Sequence, residues 1–481
     1  MREIKRDPAY LDDPVLLDYV QSLWEPLVDA ARRRGDIGAD SDLQFAWETF
    51  LVLDRSVNAF ALPGGYVGLH LGLIAITASR DELASVMAHE LSHVTQRHIA
   101  RSVSNSSRQS MLGMVAMILG VLAASRSNSA DMAQAAIAGS QAAVAQGQLN
   151  FSRDMEREAD RIGYGVFTDA GFASGGMAAM FEKLDSAARL NDSGAFPYLR
   201  SHPLTVDRMS EARARVAFAA NPAPESRYMH VLMQARAKVL MDPSAEALRR
   251  HLGLLAGKQP HRERIGVLYA AVLAASQLRE AAVVEQAFAE LTRLTSHDPR
   301  IDPELQRVVL WLRVETQLAQ AEQLDPRVLE QAASLLKNLS ASPARVSLLY
   351  RARLELQRKK LSPGLDQSLK DAAEALQTWV SEHRMDALAW SMLAQCAEEL
   401  GWRLRSLRAQ AEARAAVGDL SAAIDRLRAA QSASRGAAGA DFIEASVIDS
   451  RLRDLEGQRR QVALDLRGGR TGGRGDERDP P

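Results

Sequence analysis

The stretch Ser79-Arg80-Asp81-Glu82-Leu83-Ala84-Ser85-Val86-Met87-Ala88-His89-Glu90-Leu91-Ser92-His93-Val94-Thr95-Gln96-Arg97-His98-Ile99-Ala100-Arg101 decides how the rest of the chain is read. Ser79 followed by Glu82 is a capping-box pattern, and Asp81 and Glu82 suit the positive end of a helix dipole. Leu83, Met87, Leu91 and Val94 recur at helical spacing and make a core stripe. The pattern predicts one helix over the whole stretch. His89 and His93, four apart, lie one above the other on a different face. Two imidazoles so placed can bind one zinc ion, with Glu90 beside the metal as a candidate general base. With 10 histidines in 481 residues, chance gives an H-E-x-x-H in about one such chain in a hundred, so the pentapeptide is a strong signal.

A third ligand is sought downstream. Phe151-Ser152-Arg153-Asp154-Met155-Glu156-Arg157-Glu158-Ala159-Asp160 is again helical, and Glu156 and Asp160 share a face. In two-His-one-Glu zinc sites a later helix supplies the Glu. An Asp one turn on can hold a ligand imidazole by its second N–H, which fixes the tautomer. His89 is its expected partner. Glu158 is the competing ligand, but on a helix it points about 160° away from Glu156.

Farther on, Pro203 biases His202 towards an extended loop. Three roles stay open for His202: a late metal ligand that competes with water, a substrate contact, or an oxyanion donor. Arg208, opening a helix over Arg208–Ala219, is the other candidate oxyanion donor.

Upstream, Asp13–Ala31 has Val15, Leu16, Tyr19, Val20, Leu23 and Leu27 on one side and reads as an amphipathic helix. Phe50–Asp54, Val57–Leu62 and Tyr66–Leu69 read as strands of a small antiparallel sheet, with Pro63-Gly64-Gly65 as a turn. An edge strand beside a peptidase site can hold an extended peptide by backbone hydrogen bonds, so Asn58, Ala59, Phe60 and Ala61 are candidate substrate-binding residues.

Composition narrows the alternatives. The 59 basic and 60 acidic residues leave a net charge of −1, which gives no argument for a nucleic-acid partner. Hydrophobic residues make up 47% of the chain and aromatics only 5%, the balance of a mostly helical protein. The single cysteine, Cys396, cannot form an intrachain disulfide and reads as a buried structural thiol. Met1–Asp7 is charged and lacks the apolar core of a signal peptide. The longest apolar run, Met111–Ala124, falls short of the ~20 residues of a membrane span. With Asp131–Gln148 it is expected either to cover the site as a helical hairpin or to touch a membrane surface.

The linker Asn221-Pro222-Ala223-Pro224 separates a metalloprotease region, 1–220, from a helical one, 225–465. In Leu404–Ala430 the positions Leu407, Ala411, Gly418, Leu420, Ala423, Leu427 and Ala430 follow the small/large pattern of a tetratricopeptide unit. Such units stack into solenoids with a concave binding surface. Residues 466–481, without a sizeable apolar cluster, are expected to be disordered.

Val57–Gly65, Ala84–Arg101, Ser152–Asp160, and Ser201-His202-Pro203 with Arg208 together resemble the zinc peptidases related to the prenyl-protein protease and the heat-shock HtpX protease. Within that group the closest resemblance is to periplasmic members that carry tetratricopeptide repeats. It covers roughly Asp13–Ala219. It implies an α+β fold: a mostly helical zincin-type domain with a small antiparallel sheet, then an all-α solenoid. It implies one zinc per chain on His89, His93 and Glu156, Glu90 as acid/base, and Asp160 behind the ligands. It further implies polypeptide substrates, a periplasmic location reached through a leader encoded upstream, and quality control of outer-membrane assembly, with the assembly machinery met through the repeats. Without a leader the chain would be cytoplasmic. The rival reading is a chaperone or assembly adaptor that works through its repeats with a normally closed peptidase site.

Overall fold

The computed structural model describes residues 4–103, 153–190, 196–216, 228–296, 303–320, 326–339, 344–361, 364, 366–435 and 440–471. The expected cover over 111–148 and the linker 221–224 lie outside these residues.

After the short strand β1 (Tyr10–Leu11), helix α1 (Pro14–Arg34) starts where Asp13 accepts the Leu16 N–H at 2.8 Å. Pro14 stands in the first turn, where its missing N–H costs nothing. All six apolar positions read from its periodicity are buried. The short helix α2 (Ala39–Gln44) leads into β2 (Glu48–Val52), β3 (Ala59–Leu62) and β4 (Tyr66–His70). Gly64 and Gly65, at φ 91° and 83°, close the β3–β4 hairpin in the left-handed region that favours glycine.

The sheet is four-stranded in the order β1-β2-β4-β3, and it is mixed rather than wholly antiparallel. β3 and β4 pair antiparallel as expected, with Ala59 opposite Leu69 and Leu62 opposite Tyr66. β2 joins β4 in parallel, from Glu48 opposite Tyr66 to Val52 opposite His70. Because the hairpin partner occupies one side of β4, β2 takes the other, and β3 is left as the sheet edge.

A short helix, α3 (Leu71–Ile76), precedes the motif helix α4 (Arg80–Thr95). Ser79 Oγ caps α4 by accepting the Glu82 N–H at 3.1 Å, while Glu82 Oε2 closes on the Ala78 N–H at 2.7 Å, one residue before the usual capping-box partner. Every residue from Asp81 to Val94 is buried, so α4 is the axis of its domain rather than a half-exposed helix. The helix ends sooner than predicted. Arg97 takes φ 54°, and a separate helix, α5 (His98–Val103), begins there.

Helix α6 (Arg153–Asp169) packs along α4, followed by α7 (Gly176–Leu190), the single turn α8 (Pro197–Ser201) and α9 (Val206–Val216). On α6, Glu156, Asp160 and Gly163 fall on one face at i, i+4 and i+7. A Cβ at Gly163 would stand 3.0 Å from the Ala88 carbonyl oxygen and 3.2 Å from the His89 nitrogen. The bare Gly163 backbone is what lets the carboxylate-bearing face of α6 approach the motif helix.

The chain divides into two compact units, residues 8–316 and residues 1–7 with 317–481. The unit that carries the motif thus extends past the linker. Helix α10 (Tyr228–Leu240) is the reason. His230 bridges the Tyr19 hydroxyl at 2.7 Å and the Thr77 carbonyl at 2.9 Å, and buried Arg236 forks onto Asp13 at 2.7–2.8 Å.

The second unit is all helical among its described residues. Arg403–Ala416 and Leu420–Ala433 form an antiparallel pair turned at Gly418, φ 78°, with Leu404, Ala411, Leu420, Ala423, Leu427 and Ala430 buried between them and Ile448 and Leu452 of the last helix. Cys396 is buried, as expected. The last helix, Ala440–Thr471, stays helical past 466, since extending a helix costs less than starting one. No helix among the described residues is long and apolar enough to cross a membrane.

The close approach at Gly163 is testable. Gly163→Ala gains about 1 kcal/mol of helix propensity but overpacks a buried backbone contact at a cost of ~1–3 kcal/mol. The variant is expected to melt lower than wild type and to hold zinc less tightly. Unchanged melting and zinc retention would show that α4 and α6 can part without cost.

Candidate active site

Helix α4 presents His89 and His93, α6 presents Glu156, and the bend between α8 and α9 presents His202. One ligand atom from each of the four lies within 4.8 Å of all the others, and all four residues are buried. His93 Nε2 is 3.0 Å from His89 Nε2. Glu156 sets Oε2 3.4 Å from His89 Nε2 and Oε1 3.4 Å from His93 Nε2. His202 Nδ1 is 2.9 Å from Glu156 Oε1 and 3.4 Å from His89 Nε2. Four converging N and O donors suit a tetrahedral zinc.

Charge supports the same fit. Glu90, Glu156 and Asp160 are buried carboxylates, and Arg208 is the buried guanidinium that faces them. Once His89 has given up its proton to become a ligand, two negative charges remain, which one divalent cation neutralises. Both Glu90 oxygens are buried without a hydrogen bond of good geometry, an arrangement that otherwise costs several kcal/mol.

Behind the ligands each group is held. Asp160 Oδ1 lies 2.9 Å from His89 Nδ1, the pairing expected from sequence. Arg208 grips Asp160 through Nε at 2.6 Å and Nη2 at 2.9 Å, and its Nη1 reaches the Pro203 carbonyl at 2.8 Å and Glu156 Oε2 at 2.9 Å. Its donors are spent on carboxylates and backbone, so Arg208 fits a role in orienting Asp160 and Glu156 better than the oxyanion role suggested by sequence. Glu158 points away from the cluster, onto Arg101 at 2.8 Å and His98 at 3.0 Å.

His98 is the residue that sequence reading missed. On a continuous helix it would stand about 140° around from His93. The break at Arg97 brings it back, and its Nδ1 lies 2.9 Å from His93 Nδ1.

Burial and pairing set the proton inventory. Burial alone would lower the His89 pKa, but its hydrogen bonds to the Asp160 and Glu156 carboxylates raise it to about 10. Burial drives His93 well below the ordinary histidine range. Burial raises the Glu90 carboxyl above its usual range, with His202 and His89 opposing. Glu156 is resisted by burial too, but His202, His89 and His93 hold it far below the usual carboxylate range.

The edge strand β3 packs against α4. Ala59 is buried, Phe60 packs edge-on to Phe50 and His70, and Asn58 turns its amide to His70 Nε2 at 3.5 Å. What Asn58–Ala61 leave for a ligand is backbone, and the Ala61 backbone faces Glu90.

Residues 18–216 match the family model of peptidase family M48. The beta-barrel assembly-enhancing protease of Escherichia coli is 31% identical over 432 residues, which cover 90% of this chain and 82% of that protein. The chain belongs to peptidase family M48. The Yersinia pestis protein of the same name is 35% identical over 215 residues, 45% of this chain and 42% of that relative. The mitochondrial metalloendopeptidase OMA1 of Schizosaccharomyces pombe is 31% identical over 169 residues, 35% of this chain and 46% of the relative. As an M48 member with this donor cluster, the chain is a zinc metallopeptidase acting on polypeptides.

Zinc content of purified variants tests the assignment. His89→Ala, His93→Ala and Glu156→Ala are expected to lose the metal, and Glu90→Gln and Glu158→Ala to keep it. Asp160→Ala is expected to weaken binding by roughly 10–100-fold. Zinc retained in Glu156→Ala but lost in Glu158→Ala would reverse the phase of α6. Because His89 is raised to about 10, it holds a proton at neutral pH without metal, so zinc binding at pH 7.5 should release about one proton. Titration calorimetry in buffers of different ionisation heat reads that number, and a value near zero would refute it.

Proposed function

We propose that this chain is a periplasmic endopeptidase that removes misfolded or stalled polypeptides during outer-membrane assembly. The observation that carries this reading is the relationship to the Escherichia coli assembly-enhancing protease, which spans both compact units and not the peptidase part alone. The helical unit, read as a tetratricopeptide-like stack, would select clients and meet the assembly machinery. Contact of Met111–Ala124 with a membrane surface belongs to the same proposal.

In this reading His89, His93 and Glu156 hold one zinc, which when bound polarises the scissile carbonyl and acidifies a water molecule. The chain supplies the rest. The free edge of β3 binds an extended substrate by backbone hydrogen bonds and lays its carbonyl across the site. Glu90 Oε accepts the proton of the attacking water and gives it to the leaving amine nitrogen. A carboxyl whose affinity for a proton is raised by burial is suited to that shuttle. Asp160 fixes the His89 tautomer, and Arg208 fixes Asp160.

One observation favours a normally closed site. His202 is buried among the ligands and also sets Nε2 3.5 Å from Glu90 Oε1. An imidazole in that place, as a fourth ligand, competes with the water that hydrolysis needs. In this form the enzyme is latched by His202 until a client displaces it, and the repeats can act as an adaptor meanwhile.

Casein degradation separates these roles. Glu90→Gln is expected to keep zinc and lose activity by 100-fold or more, on the order of what a missing acid/base costs. His202→Ala is expected to degrade casein, or itself, faster than wild type. A slow His202→Ala enzyme that still holds zinc would overturn the latch and assign His202 to catalysis.

A further inference from the structure

The two ligand histidines of α4 are supported differently. His89 has a carboxylate directly behind it, Asp160 at 2.9 Å from Nδ1. His93 has another imidazole, with His98 Nδ1 2.9 Å from its own Nδ1. His98 is itself fully buried, and its Nε2 lies 3.0 Å from Glu158 Oε2. Glu158 is partly exposed and also takes Arg101 Nη1 at 2.8 Å.

The proton positions along this chain follow from its two ends. His93 turns Nε2 towards His89 and Glu156, so a metal there needs the Nε2 lone pair, and the His93 proton must sit on Nδ1. That N–H can donate only to an acceptor, so His98 Nδ1 must carry a lone pair. The His98 proton is then on Nε2, where it donates to the Glu158 carboxylate. One arrangement satisfies all three contacts, and both imidazoles are neutral in it.

We propose that His98 is the positioning residue for the zinc ligand His93, with Glu158 and Arg101 fixing the tautomer of His98. This rests on His89, His93 and Glu156 being the zinc ligands. The break at Arg97 is what makes the contact possible, because it starts α5 with His98 turned back under α4. A carboxylate in direct contact raises the donor strength of its imidazole more than a neutral ring does. The push on His93 is therefore weaker than the one Asp160 gives His89, and its loss should sit at the low end of the 10–100-fold range for such partners.

The test uses the full chain loaded with zinc or cobalt. His98→Phe keeps a buried ring and removes the acceptor. It is expected to weaken zinc about tenfold in a chelator competition and to shift the cobalt ligand-field bands. The melting point of the metal-free protein should stay near that of wild type. His98→Gln, whose side-chain oxygen can accept the His93 N–H, should recover most of the affinity. Glu158→Leu leaves His98 in place and guards against a misfolded His98→Phe; it should weaken zinc severalfold and shift the same bands. Wild-type zinc affinity and an unchanged cobalt spectrum in His98→Phe or in Glu158→Leu would overturn the proposal. If the ligand assignment were the error, His93→Ala would retain its zinc, which distinguishes the two failures.

Discussion

Buried charge is the constraint on which this structure depends. Helix α4 is enclosed from Asp81 to Val94, yet it carries two acids at its start and a His-Glu-His face in its middle. An unpaired charge in such a place is costly, so each needs a partner brought from another element. Asp81 accepts the Ala173 N–H at 2.9 Å, and Glu82 takes Lys183 at 2.6 Å. His89 takes Asp160, and Asp160 and Glu156 take Arg208. The partners arrive on the segments that build the domain around α4, so the fold and the metal site are one solution to one electrostatic problem. The charge left over is the charge of a divalent cation.

Much of the site was legible because its logic is local. The His89–His93 pair, the Glu156–Asp160 pair and the opposed Glu158 all follow from one helical repeat applied to short segments. The β3–β4 hairpin followed from its glycine turn, and α1 from its apolar stripe and Asp13. What sequence could not reveal are the contacts that join distant segments. The parallel pairing of β2 with β4 depends on which side of β4 the hairpin leaves free. Arg208 looks like any helix-opening arginine until Asp160 is folded against it. The reach of the peptidase unit past the linker rests on Asp13–Arg236 and Thr77–His230, pairs separated by 223 and 153 residues.

The break after α4 is a different kind of miss. Thr95-Gln96-Arg97-His98-Ile99 has no glycine or proline, and nothing in it marks a helix end. Arg97 nevertheless takes a left-handed conformation that an L-residue adopts at some cost. Such strain persists where its surroundings determine it. Here the compensation is visible: the turn buries His98 against His93 and sets Glu158 and Arg101 around it. The local rule failed at the point where the chain leaves the helix to support a ligand.

The chemistry of His202 bears on how a closed site could open at low cost. His202 packs against the Tyr198 ring at 4.8 Å and is carried by a bend rather than by a long helix. An imidazole that binds a metal through its lone pair is uncharged, so from the latched form it would leave without changing the charge balance among Glu90, Glu156, Asp160, Arg208 and the metal. Arg208 still holds Asp160 and Glu156 from the far side, while Glu156 and Glu90 give up their contacts with His202 at 2.9 and 3.5 Å. Only contacts of the imidazole itself are lost, and a substrate carbonyl and a water can replace them. A latch made of a charged side chain would have to carry its charge out of a dry cavity, and the remaining ions would be left unbalanced. A metal-bound imidazole avoids both costs.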